Sequence, residues 1–93
     1  MKDIKGYEGK YAVTEDGKVW SYPKHTKGRS HSGKFLRPAK NQKGYFRVML
    51  EDRKRYFIHR LVAQHSIENP MSGQQVNHKD MNKQNNHAEN LEW

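Results

Sequence analysis

The chain contains no cysteine, so neither a disulfide nor a cysteine-based zinc site can hold its fold together. No apolar run approaches the roughly 20 residues that a membrane-spanning helix needs. The amino terminus, Met1-Lys2-Asp3-Ile4-Lys5-Gly6, has no apolar h-region of the kind a secretory signal carries. These absences predict a soluble, non-secreted, cytoplasmic protein with no membrane partner. Apolar residues are themselves scarce, at 32% of the chain against roughly 45–50% in ordinary globular domains. Ninety-three residues suffice for one small domain, and a chain of that size buries only somewhat over half of its unfolded surface. The expected core is thin. Ten aromatic residues, two Trp, five Tyr and three Phe, argue against disorder, because each ring can bury a large area.

Acidic residues are scarce where basic ones are dense. Lys24 to Arg60 holds twelve Lys or Arg against only Glu51 and Asp52, a net of +10, while the rest of the chain is net −2. A basic middle with near-neutral ends suits a polyanion, of which nucleic acid is the usual one. An acidic protein surface that mimics DNA is the competing partner.

The amino-terminal part reads as a hairpin. Tyr11-Ala12-Val13 is a short strand, Thr14-Glu15-Asp16-Gly17 a turn, and Lys18-Val19-Trp20-Ser21 the return strand. Gly6 and Gly9 bracket Tyr7 in a tight turn expected to tuck its ring against Trp20. Lys10 and Lys18 are candidate phosphate contacts on what is mainly scaffold. Pro23 through Lys34 has no apolar anchor and reads as an exposed loop. Its His25 and His31 lie six apart without helical context, which excludes a zinc pair. Gly44 to Leu50 and Arg55 to Ile58 alternate as two strands of a second hairpin. From Ile58 to Ile67 the period changes to that of a short helix, with Leu61, Val62, His65 and Ser66 on one side, ending ahead of Asn69-Pro70. His59, beside this apolar face, reads as a packing residue. The fold class is therefore α+β: small antiparallel β-hairpins with one short helix. Three segments form one unit: a β module at 1–22, a basic loop and hairpin at 23–57, and a helix with a terminal segment at 58–93. The candidate DNA contacts are Lys24, Lys27, Arg29, Lys34 and Arg37 in the basic loop and just after it, and Arg47, Arg53, Lys54 and Arg55 on the second hairpin.

The stretch from Val76 to Trp93 is different in kind. Five of its eighteen residues are Asn and two are His. Asn, Asp and Lys between apolar anchors are also what a long polar turn contains. The arrangement is more specific than the composition: Asn77-His78 directly after an apolar residue, then a turn, then Asn86 and Asn90-Leu91-Glu92-Trp93. This resembles the HNH nuclease motif in the form found in phage and intron homing endonucleases. His59-Arg60-Leu61-Val62-Ala63, Asn69-Pro70 and Val76-Asn77-His78 follow that family's order. Gly6-Tyr7-Glu8-Gly9-Lys10-Tyr11 with Asp16-Gly17-Lys18-Val19-Trp20-Ser21 looks like the nuclease-associated modular domain that often precedes it.

The resemblance implies a metal-dependent endonuclease acting on double-stranded DNA in the cytoplasm of a bacterial host, if the gene is that of a bacteriophage. It assigns His78 as the general base that takes a proton from water, since an imidazole with a pKa near 6.5 can do so at neutral pH. Asn77 becomes a ligand for Mg²⁺ or Mn²⁺ through its amide oxygen. Asn90, the middle Asn of the motif, holds the loop and orients the base, with Asn86 sharing in that bracing. Asp80 is a further metal candidate, and His87 is expected to face solvent. The family's motif is two strands and a helix that contributes the last metal ligand, whereas this chain reaches Trp93 on the second strand. The expected ββα-metal motif is thus incomplete. The alternative function is a catalytically inactive, nuclease-derived protein that binds DNA or a host protein.

Overall fold

The computed structural model describes residues 1–26, 29–67 and 75–93, with residues 25, 26 and 29 described as backbone. β1 (Lys2–Asp3) runs antiparallel to β2 (Tyr11–Val13), and β2 pairs with β3 (Val19–Ser21) so that Ala12 faces Trp20. The predicted loop after Pro23 is instead a short antiparallel hairpin, β4 (Lys24–Thr26) against β5 (Arg29–His31). Backbone pairing needs no apolar anchor, which is why a polar composition misled here. β6 (Lys34–Phe35) then closes a four-stranded sheet in the order β1-β2-β3-β6.

Side chains alternate across β3: Val19 and Ser21 are buried, and Trp20 turns to the other face. There its ring meets Phe35, its register partner, edge-on at 4.9 Å. The expected Tyr7–Trp20 contact is therefore absent. Tyr7 lies instead against Tyr11 and Tyr56, with ring centroids at 5.9 and 5.8 Å.

A second sheet consists of β7 (Ala39–Lys40), β8 (Phe46–Met49) and β9 (Arg55–Phe57). Arg47 pairs with Phe57, Val48 with Tyr56 and Met49 with Arg55. Val48 and Tyr56 thus point to the core, and Arg47, Met49, Arg55 and Phe57 share the opposite face. β9 runs directly into α1 (Ile58–Ser66), which buries Ile58, Leu61, Val62 and Ala63. The helix packs on β2, β8, β9 and the last strand, so one core joins the amino-terminal, middle and carboxy-terminal segments. β10 (Asn77–His78) and β11 (Leu91–Glu92) form a two-stranded ribbon in which His78 faces Leu91, both buried. This is the α+β arrangement of small hairpins around one helix that the sequence predicts.

The turn of the first hairpin is docked on the segment between β10 and β11. Lys18 N donates to Thr14 Oγ1 at 2.9 Å, which tightens the turn, and Ala88 N donates to the Glu15 carbonyl at 2.7 Å. Gly17 sits between them at φ +89°, a left-handed conformation that side chains rarely adopt. A Cβ on Gly17 would lie 2.8 Å from the Cβ of Asn86 and 3.0 Å from its carbonyl oxygen. Gly17→Ala is accordingly expected to destabilise the fold by about 2 kcal/mol or more, from left-handed strain plus the collision, and to shift the resonances of the Asn86 segment. Urea denaturation read together with amide spectra checks both.

Candidate active site

Twelve residues, Lys79 to Asn90, connect β10 to β11, and almost all are polar. They hold their shape through side-chain bonds rather than a core. Asp80 is the hub: its Oδ1 accepts from Asn82 N (2.8 Å) and Asn90 Nδ2 (2.9 Å), and its Oδ2 from Asn85 Nδ2 (2.9 Å). These donors, Asn85 foremost, hold the carboxyl below the usual aspartate range. Asn90 closes the ring. Its Nδ2 also donates to the Asn85 carbonyl at 2.9 Å, its Oδ1 accepts from Asp80 N at 3.1 Å, and its carbonyl accepts from Lys79 N at 2.7 Å. Met81 adopts φ +63° within this ring and is 87% exposed. His87 is half-buried rather than solvent-facing, and its Nδ1 accepts from Glu89 N and caps the 3₁₀ turn Ala88–Asn90.

His78 lies inside this ring, 5% exposed. Its Nε2 bonds to Asn86 Oδ1 at 2.9 Å, and Asn86 is itself 6% exposed. A carbonyl oxygen only accepts, so Nε2 carries the proton and the basic lone pair resides on Nδ1. The bracing that the sequence divides between Asn90 and Asn86 is thus separated in space: Asn86 touches the imidazole, and Asn90 shapes the loop around it. Two rings border His78. The His59 ring is 5.1 Å away between centroids and Tyr45 is at 5.9 Å, while Phe57 packs on His59 at 5.4 Å. Lys83 reaches across to the β7–β8 turn, donating to the Lys43 carbonyl at 3.0 Å with its ammonium 5.1 Å over the Tyr45 ring. His59 packs as expected, but its position against His78 was not readable from residues nineteen apart in the chain.

Asn77 and His78 are consecutive on a strand and turn to opposite faces, Asn77 being exposed. Asn77 Nδ2 donates to Glu92 Oε1 across the ribbon at 3.2 Å, which leaves the amide oxygen as its hard donor beside a carboxylate. Among the described residues no group of three or more His, Cys, Asp or Glu gathers to hold a metal ion. Mg²⁺ keeps several waters and takes few protein oxygens when substrate phosphates supply the rest. Asn77 with Glu92 fits that kind of shared site and does not fit a self-sufficient metal centre. Asp80, with both oxygens taken by the loop's own donors, belongs to the scaffold.

The cationic residues fall into distinct places. Arg47 and Arg55 lie on the face of the second sheet that points away from the core, with Arg53 and Lys54 exposed at its β8–β9 turn. Lys34 and Arg37 are exposed at and after β6. Lys24 is engaged: its Nζ meets Glu51 Oε2 at 2.8 Å and lies 5.6 Å from the Tyr11 ring, while Lys10 holds the other oxygen of Glu51 at 2.8 Å. Arg29 contributes its backbone to β5, and Lys27 lies outside the described residues. No helix among the described residues is long and apolar enough to cross a membrane.

The NUMOD4 motif matches residues 2–51. The chain is 43% identical to the DNA endonuclease I-HmuI of Bacillus phage SP01 over 99% of its own length and 50% of the relative's. It is 42% identical to an uncharacterized HNH endonuclease, L245, of Acanthamoeba polyphaga mimivirus, over 89% of the chain and 24% of that protein. The fold is similar, at a TM-score of 0.82 and 43% identity, to a solved structure of DNA binding and cleavage by the HNH homing endonuclease I-HmuI, covering 97% of this chain and 49% of that one. The chain thus spans half or less of the length of the curated relatives it matches.

His59 also sets a pH dependence. Burial, then the neighbouring His78 and Arg60, push its pKa from 6.5 down to about 4. The folded state therefore favours neutral His59, so its contribution to stability is complete above pH 6.5 and is lost as pH falls toward about 4. His59→Phe, which keeps a ring there and removes the titration, is expected to flatten this part of the stability profile. Denaturation of both proteins across that pH window measures it.

Proposed function

Because the chain belongs to the NUMOD4 family and carries an HNH domain of the homing-endonuclease type, we propose that it binds double-stranded DNA and supplies the general base of a phosphodiester-cleaving site. The observation that carries this reading is His78, buried and held through Nε2 by Asn86, with its Nδ1 left as the base.

Hydrolysis requires a water oxygen to bond to phosphorus as the bond to the leaving deoxyribose oxygen breaks. His78 Nδ1 takes the proton that the attacking water loses. The Asn86 carbonyl steadies the imidazolium that results, since Nε2–H remains its donor. The Asp80–Asn85–Asn90 network fixes the loop so that His78 meets the phosphate in one geometry. Asn77, beside Glu92, is the residue that would hold a divalent cation together with phosphate oxygens. When bound, Mg²⁺ or Mn²⁺ neutralises charge developing on the phosphate and the leaving oxygen. Arg47, Arg55, Arg53 and Lys54 contribute the salt-sensitive part of binding by neutralising backbone phosphates. Lys34 and Arg37 extend that surface, and Lys24, committed to Glu51, contributes less.

A second reading, DNA binding with little or no cleavage, is favoured by the small donor set at Asn77. Two protein oxygens leave much of the cation's coordination to the substrate and solvent. Nicking of supercoiled plasmid by the 93-residue chain is therefore expected to be weak and to require Mg²⁺ or Mn²⁺. His78→Ala is expected to lower whatever nicking occurs by about 10²-fold or more, with duplex binding kept and still weakening steeply with salt. Nicking unaffected by His78→Ala refutes the assigned base. Duplex affinity that does not respond to salt refutes the DNA-binding surface and favours a protein partner.

A further inference from the structure

A groove of about 780 Å³ lies between the β7–β8 turn and the start of α1, and two of its lining rings, Tyr45 and His59, are the ones that neighbour His78. Lys43, Tyr45, Arg47, Phe57, His59 and Arg60 line it, together with two amide side chains, and no acid does. Its composition is that of a site for an aromatic anion. Tyr45, Phe57 and His59 form a continuous wall of rings, with centroids 5.0 to 6.0 Å apart.

Two features of the groove lack a partner. α1 is nine residues long, yet its N-cap is Phe57, which makes no side-chain cap bond, and its first turn holds no acid. Its first N–H groups and the positive end of its dipole thus have no side-chain cap, and Arg47 and Arg60 line the groove at this end of the helix. His59, 7% exposed, lines the same groove and has a buried Nδ1 without a hydrogen-bond partner among the described residues. Such an orphan is uncommon in a finished protein interior.

We propose that this groove is a subsite for one nucleotide of the strand that His78 acts on, next to the phosphate being cut. Its backbone phosphate sits at the start of α1 between Arg47 and Arg60, and its base packs on Tyr45 and Phe57. The contact of the His59 and His78 rings joins the subsite to the base that does the chemistry. Phosphate recognition here is independent of sequence, and the ring wall accepts any base through its π-face. The subsite rests on the DNA-binding reading above and adds to it where the strand is gripped.

Titration of the full chain with the 5′-phosphorylated thymidine dinucleotide pTpT, followed in amide and aromatic-ring NMR spectra, tests the subsite. Thymidine and inorganic phosphate serve as separate titrants. pTpT is expected to shift the amides of Ile58, His59 and Arg60 and the rings of Tyr45 and Phe57 together and saturably, with phosphate moving the amides alone and more weakly. Arg60→Gln is expected to weaken pTpT about tenfold, the loss of one charge-assisted hydrogen bond. Arg47→Gln, on a different element, should do the same, and Lys2→Gln on the edge strand of the other sheet should not. Silence at the start of α1, amide shifts without ring shifts, or indifference to both Arg variants overturns the subsite. Duplex binding and plasmid nicking are read apart from this titration. Salt-sensitive duplex binding with a silent groove refutes the subsite alone, and a responsive groove without nicking refutes only the endonuclease reading.

Discussion

One buried hydrogen bond, from His78 Nε2–H to Asn86 Oδ1, is the constraint on which the site depends. Both partners are nearly inaccessible, so breaking it leaves a polar group unsatisfied in the interior, at a cost of about 1–3 kcal/mol. That is a sizeable share of the stability of so small a domain. The bond also determines the chemistry, because it settles which ring nitrogen can take a proton. What keeps Asn86 in place comes from the other end of the chain: the left-handed Gly17 comes so close to Asn86 that a Cβ on it would lie 2.8 Å from the Asn86 Cβ, and Glu15 accepts from Ala88 just beyond it. The amino-terminal hairpin thus acts as a backstop for the loop that carries the base. This gives the first segment a role beyond carrying Lys10 and Lys18.

The protein compensates for its scarcity of apolar residues in two ways. Its aliphatic core is confined to short stretches of β2, β3, β8, α1 and β11 with Ile4 and Leu50. Around it, rings pack on rings: Tyr7 with Tyr11 and Tyr56, Trp20 with Phe35, and Tyr45, Phe57 and His59 with His78. The β10–β11 loop has almost no core and relies on Asp80, Asn82, Asn85 and Asn90 bonding to one another. Charge is handled separately. Glu51 draws Lys10 and Lys24 together at the surface, where such pairs add little stability, while Arg47, Arg55 and Arg60 stay on the side where the groove opens. The positive face therefore lies next to the rings that border His78.

The two main hairpins and the helix were legible in the sequence because each follows a simple period, whereas the terminal ribbon was expected only from the resemblance to the HNH motif. Tyr11 to Val13 and Val19 to Ser21 flank an Asp-Gly turn, and Leu61-Val62 sits at helical spacing after Phe57. The β4–β5 hairpin was not legible, because backbone pairing among Lys, His, Ser and Arg leaves no apolar signature. The candidate site residues His78 and Asn77 were named by motif, which also assigned the bracing to Asn90 with Asn86 sharing in it. Which Asn reaches the imidazole depends on how a twelve-residue loop folds back, and Asn86 is eight positions from His78 with no periodic relation to it. Glu92 beside Asn77, Gly17 behind Asn86 and His59 against His78 are tertiary adjacencies. Each pairs positions whose individual residue types are unremarkable.

The central claim is that Asn86 fixes the proton of His78 on Nε2 and leaves Nδ1 as the base. Long-range ¹H–¹⁵N correlation spectra of the imidazole rings test it most directly, comparing the chain with Asn86→Ala near neutral pH. The account predicts a single Nε2–H tautomer for His78 in the parent chain and a mixture of tautomers in the variant. A proton on Nδ1 in the parent, or a tautomer unchanged by removal of Asn86, would contradict it.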